Sequence, residues 1–254
     1  MTLEICVDDI TGVDSAVSGG ADRLEFCAAL ALGGLTPTPS LIAAARDLPI
    51  PVHMLVRPRE GGFRYSAREA ALIAVDIATA ADAGLAGVVI GASAADHSLD
   101  IPLLTHLVDH ARTCGAARGS PLSLTLHRAF DLCPDLPAAL ETAIALGFDR
   151  ILTSGGAPKA IDGVRMLEAL HRAAAGRIVI LPGSGIDAGN ATCFLDVGLR
   201  EIHASCGATL SPTETDDDTR ERQFGFSAPH RRVTDAHRVH DLKMVLDSFD
   251  PQPA

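Results

Sequence analysis

The sequence predicts a single-domain α/β protein, a (β/α)8 TIM barrel spanning residues 1–254. Two observations carry that expectation. Eight short apolar runs recur along the 254 residues, and Ala-rich stretches with helical periodicity separate them. Repeats of about 25 to 35 residues fit a closed ring of parallel strands better than a doubly wound sheet, which seldom needs eight equal units. With 47% hydrophobic residues the chain can also bury a core of that size.

The predicted strands, in order, are LEICV (3–7), RLEFC (23–27), PVHMLVR (51–57), GVVIG (87–91), SLTLH (123–127), RILTS (150–154), RIVILPG (177–183) and EIHAS (201–205). Between them, SAREAALIAVDIATAADAG (66–84) opens on Ser66 and Glu69, spaced as a capping box, and closes on Gly84. Helical patterns also fill 100–114, 135–146, 158–175 and 187–197. After the eighth strand comes an acidic, turn-rich stretch with Asp216, Asp217 and Asp218, so residues 206–233 read as a long loop on the C-terminal face of the strands. The last helix follows at 234–249, capped by Thr234.

Composition narrows the function classes. The net charge of −11 and the absence of a basic stripe argue against nucleic acid as a partner. The start MTLEICVDDI has no basic leader, and no run is long and apolar enough for a membrane span, which points to the cytoplasm. Cys6, Cys27, Cys114, Cys133, Cys193 and Cys206 form no C-x-x-C pair and read as free thiols, with Cys114 and Cys193 as packing residues of helices.

Strand side chains alternate faces, so each run divides in two. One set, including Leu3, Ile5, Val7, Leu24, Phe26, Val52, Met54, Leu124, Leu126 and Ile202, is apolar and suits the layer against the helices. The other set holds Glu4, Cys6, Glu25, Cys27, His53, Arg57, His127, His203 and Ser205. Barrel interiors are usually filled with branched apolar residues, so carboxylates, imidazoles and a guanidinium on that face require a mutually neutralising network. Glu25 in particular is expected to be compensated by Arg57 and the histidines.

Six groups, Glu4, Glu25, His53, Arg57, His127 and His203, at or near the strand C-terminal ends are the candidate catalytic set, because active sites of this fold are built there. LPGSGIDAGN (181–190) and SCGAT (205–209) place Gly183, Gly185 and Ser205 where the last loops of a barrel often bind a phosphate. TSGGAP (153–158) offers further backbone donors, and HRAFD (127–131) adds Arg128 and Asp131 at the rim, with Arg128 of the wrong parity for the lumen. Cys6 and Cys27 share a phase on adjacent strands spaced about 4.8 Å apart, within reach of one soft ion such as Cu(I).

The series LEICVD, GGADRLEFC, GGLTP, PVHMLVRPR, LTLHRAFD, RILTSGG and LPGSGI resembles the CutC copper homeostasis family from residue 3 to about 206, with a weaker match in TDAHRVHDLKMVL. The resemblance implies a (β/α)8 barrel, a cytoplasmic and oligomeric protein, here expected as a homodimer, and copper handling with Cys6 and Cys27 as Cu(I) ligands. Gly62, where relatives commonly carry an acid, and Cys206, where many have a small residue, depart from the pattern.

Of two functions, the resemblance puts copper handling first and leaves an enzyme as the alternative. One is a copper homeostasis protein whose partner is the copper ion. The other is an isomerase or lyase acting on a small anionic, phosphorylated or sugar-like metabolite, with Glu25 as base, His127 or His203 as acid and Arg57 holding the anion.

Overall fold

The computed structural model describes residues 1–210, 216–226 and 231–249. The first half runs β1 (Thr2–Val7), α1 (Ile10–Ser18), β2 (Arg23–Phe26), α2 (Pro39–Ala44), β3 (Val52–Leu55), α3 (Ala67–Asp82), β4 (Gly87–Ile90) and α4 (Ile101–Ala117). The second half runs β5 (Ser123–Leu126), α5 (Leu136–Leu146), β6 (Arg150–Thr153), α6 (Val164–Ala174), β7 (Val179–Pro182), α7 (Ala191–Asp196) and β8 (Glu201–Ala204). Beyond them lie β9 (Gly207–Leu210), α8 (Asp216–Gln223), β10 (Arg231–Thr234) and α9 (Ala236–Ser248). Short 3-10 turns occupy Leu30–Leu32, Arg128–Leu132 and Ala160–Gly163.

Eight parallel strands in the order β7-β6-β5-β4-β3-β2-β1-β8 make the barrel, with β7 and β8 adjacent across the seam. Strand parity divides the faces as expected: Leu3, Ile5, Val7, Leu24, Phe26 and Met54 are buried in the layer between strands and helices. The helices complete that layer by their own periodicity. In α3, Ile73, Ile77, Ala80 and Ala81 fall on one buried face, and the capping box is present, Ser66 N–H donating to Glu69 Oε2 at 2.7 Å.

Three expectations need correction. The stretch 206–233 is not simply a loop: β9 and β10 pair antiparallel, Gly207 opposite Thr234, and α8 follows β9. Residues 211–215 and 227–230 of that stretch lie outside the described residues. Thr234 ends β10, and Asp235 caps α9 instead, its carboxylate accepting from His237 N–H at 2.9 Å and Arg238 N–H at 3.1 Å. Cys193, expected as a packing residue, is exposed on α7, although all six cysteines are free thiols as read from their spacing.

Candidate functional site

A cavity of about 760 Å³ opens at the C-terminal ends of the strands. Cys6, Glu25, Arg57, His127 and His203 line it from the strands and their ends, and the β9–β10 ribbon closes one side with Gly207, Arg232 and Thr234. Glu4 and His53 lie deeper, buried in the lumen beneath it.

Glu4 is fully buried, and both of its oxygens are occupied. Arg23 Nε donates to Oε2 at 2.5 Å and His203 Nδ1 lies 2.7 Å from Oε1. Burial pushes the Glu4 carboxyl up, but Arg23, His203 and His53 outweigh it and hold the group well below the usual carboxylate range. Arg23 also donates to Glu201 at 2.7 Å, and Glu201 accepts from Arg150 at 2.9 Å, so alternating charges descend the lumen from the cavity floor. This is the neutralising network the sequence demanded, with a different member at its centre.

Arg57 is not that member. Strand β3 ends at Leu55, and the Arg57 guanidinium turns to backbone carbonyls: Nη1 donates to Leu32 and Gly34 at 3.0 Å each, and Nη2 to Gly61 at 2.8 Å. It clamps the loops after β2 and β3 and stacks over Phe63, 5.1 Å from the ring centroid. Glu25 therefore keeps Oε2 buried without a hydrogen-bond partner, 3.9 Å from His203 Nδ1. Burial, reinforced by Glu4, raises its pKa to about 7 against the pull of His203 and Arg23. His203 is shifted the other way in charge: burial opposes the imidazolium, but Cys6, Glu4 and Glu25 raise its pKa well above the ordinary value.

The other two imidazoles are neutral. Burial, then Arg23 and Arg150, lowers His53 to about 4. Burial and the Arg57 charge lower His127 to about 3. Strand β4 and the residue after it make room for both rings, because Gly87 and Gly91 present no side chain to the lumen: a Cβ on Gly87 would lie 2.8 Å from His53 Cδ2, and one on Gly91 would collide with Nδ1 and Cε1 of His127. His127 Nδ1 accepts from Ala129 N–H at 3.1 Å, which places the ring proton on Nε2, and that atom is buried with no partner in the protein. Phe63 packs on the ring with centroids 4.6 Å apart.

The profile of the CutC family matches residues 1–208. A CutC family protein of Sinorhizobium medicae is 50% identical over 248 residues, covering 97% of this chain and 96% of that one. The chain belongs to the CutC family. A second member, from Rhizobium meliloti, is 47% identical over 249 residues, covering 98% and 97% of the two chains. Among solved structures, CutC of Streptococcus agalactiae, a candidate copper homeostasis protein, superposes with a TM-score of 0.74 at 28% identity, over 81% of this chain and 98% of that one.

In this barrel Cys6 stands opposite Glu25 in the β1–β2 register, so Cys27, the residue just past the end of β2, lies two positions beyond Glu25 rather than directly across from Cys6. The Cys27 thiol points to Val7 O at 3.4 Å and packs with Leu30, Leu55 and Val89, while Cys6 borders the cavity. Burial and the nearby Cys6, Glu25 and Asp8 push the Cys27 thiol far up. Among the described residues, the three-residue group whose ligand atoms lie within 4.8 Å of one another is Glu4, Glu25 and His203, an oxygen-rich set that suits harder ions than Cu(I).

Of the expected loop donors, Gly183 is spent: its N–H donates to Thr153 O at 3.0 Å, and its missing side chain admits Leu152 and His203. Gly185 and Ser205 do border the cavity. Arg128 also reaches the rim despite its parity, because β5 gives way to a 3-10 turn after His127; it is held by Asp131 at 2.7 Å and Ser154 at 2.7 Å. Gly62, at the departure from the family pattern, has open space around it, and Cys206 is buried with φ of 46°. Sequence reasoning missed Arg23, Glu201 and Arg150 although their parity along the strands was readable; Lys159 and Phe63 lie on connections, and Arg232 on the ribbon strand β10 that was read as loop, and these carried no such signal.

Proposed function

We propose that the cavity is a general acid–base site that moves a proton next to a carbonyl of a small anionic metabolite. The observation that carries this reading is Glu25, whose Oε2 is buried, unpartnered and beside the His203 imidazolium. With a pKa near 7 the carboxyl exchanges a proton close to neutrality, where a general base and its conjugate acid are both accessible. Glu25 removes the proton from carbon, the neutral His127 donates an Nε2–H hydrogen bond to the oxygen on which charge develops and keeps its proton, and the Glu25 carboxylic acid returns the abstracted proton at a neighbouring atom. Glu4 holds His203 charged and oriented, Arg57 holds the roof loops, and His53 fills the floor. The free thiols support a reducing compartment such as the cytoplasm.

The test is solvent exchange. Small keto and hydroxy acids and their phosphate esters are incubated with the protein in deuterated buffer, and loss of the proton next to the carbonyl is followed by NMR. Wild type is expected to exchange one member of the panel, and Glu25→Gln to slow it by about 10²- to 10⁴-fold. Equal rates in the two proteins refute the assignment of Glu25.

A second reading keeps copper as cargo, held as Cu(I) by Cys6 and Cys27. It is supported by the burial of both thiols at the ends of adjacent strands and by the position of Cys6 on the cavity lining. The raised Cys27 thiol and the harder donors nearby place it behind the acid–base reading. Competition titration of Cu(I) against a chelator decides it: a one-to-one site is expected to vanish in the Cys6→Ser, Cys27→Ser double variant, and unchanged affinity there rules the pair out.

A further inference from the structure

The chain has two lysines, Lys159 and Lys243, among 21 basic residues. Lys243 is spent on Asp22 at 3.0 Å and Asp247 at 2.9 Å, outside the barrel. Lys159 sits between β6 and α6 and lines the cavity, and among the described residues its ammonium has no ion pair and no hydrogen-bond acceptor. The other cations of the rim each have an oxygen: Arg128 holds Asp131, Arg57 the loop carbonyls, and Arg232 the Gly207 carbonyl at 3.0 Å.

The surroundings of Lys159 are built rather than loose. Ala160 N–H donates to Ser184 O at 3.0 Å and Ser184 Oγ donates to Pro158 O at 2.9 Å, which stitches the connection after β6 to the one after β7. The Lys159 stem crosses Gly185 so closely that a Cβ there would stand 2.9 Å from Cδ. Ser184 and Gly185 are consecutive residues in left-handed backbone, φ 90° and 76°, and both border the cavity. Among the described residues the N–H of neither meets an acceptor. Successive amides in such a turn are donors in want of an anion.

We propose that Lys159 and the Ser184–Gly185 amides form a phosphate subsite, which makes the substrate a phosphate monoester of a small carbonyl compound. The inference rests on the acid–base reading for the rest of the substrate, and it adds the group by which that substrate is held. A compact ammonium on a flexible stem serves a tetrahedral dianion, whereas the planar fork of arginine is matched to a flat carboxylate as well. In a protein of net charge −11, a local unpaired cation is also what brings a dianion to the cavity.

Amide chemical shifts of the 254-residue protein are followed during titration with inorganic phosphate, and separately with acetate, at constant ionic strength. Wild type is expected to bind phosphate saturably and more tightly than acetate, with shifts at Ser184 and Gly185. Lys159→Met is expected to weaken phosphate by about tenfold or more, Lys159→Arg to keep it within about threefold, and Glu25→Gln to leave it within about twofold. That last variant separates the subsite from the acid–base assignment, since a failure of exchange chemistry leaves phosphate binding in place. Unchanged affinity in Lys159→Met, equal binding of acetate, or no saturable binding by the wild type overturns the subsite.

Discussion

Glu4 and Glu25 show how little a residue type says about its state. Both are buried lumen carboxylates on adjacent strands, yet Glu4 has Arg23 and His203 on its two oxygens and is held low, while Glu25 keeps an unpartnered oxygen and rises to about 7. Removing the cation makes the difference measurable. Arg23→Met leaves the fully buried Glu4 without its guanidinium and Glu201 with Arg150 alone, and urea unfolding is expected to show a loss of about 3–5 kcal/mol. A loss below about 1 kcal/mol would mean that Arg23 is not the clamp. The parity of Glu4, Arg23 and Glu25 was legible in the sequence, so a charged lumen could be foreseen. The pairing was not, because Arg57 lies past the end of β3, where loop carbonyls from residues 32, 34 and 61 reach it first.

At the scale of elements, β4 carries a less obvious design. Its outward residues Val88 and Ile90 pack against the helices, while Gly87 and, just past the strand, Gly91 empty the lumen beside His53 and His127. Gly91→Ala is expected to displace the His127 ring and to cost about 1–3 kcal/mol in thermal or urea unfolding, as overpacked cores do. Gly62→Ala, with open space on all sides, is expected to stay within about 0.5 kcal/mol and serves as the control. Equal stability of the two variants would show that the His127 ring is free to move. The helices α3 to α5 were readable because caps and a 3.6-residue period are local. The β9–β10 ribbon was not, since its four-residue strands acquire meaning only by pairing with each other across a long connection.

For the whole molecule, the buried imidazoles set the response to acid. Below pH 6.5 the unfolded chain protonates residues 53 and 127, which the fold keeps neutral down to about 4 and about 3, so stability falls as the pH drops. Glu25 acts in the opposite sense, because its folded value near 7 lies above the ordinary 4.5 and its ionisation costs stability as the pH rises through that range. Between pH 6 and 5 His203 is charged in the fold and mostly charged in the unfolded chain, so two histidines against one carboxyl leave a net uptake of about one proton on unfolding, and roughly 1 kcal/mol is lost per unit. Below 4.5 the stabilisation from the depressed Glu4 is lost as well. Urea unfolding at pH 7, 6 and 5 checks the slope, and His127→Gln is expected to flatten it; an unchanged slope in that variant would exclude His127 as a source. The sequence by itself determined the eight-fold alternation of strand and helix, the apolar outer face and the polar lumen, because those are periodicities written along a single stretch of chain. Only the tertiary structure decided which charge answers which, that one Glu25 oxygen is left without a hydrogen bond, and that the ribbon and Lys159 border the cavity. Those depend on where strands end and on contacts between residues far apart in the chain, which no local pattern records.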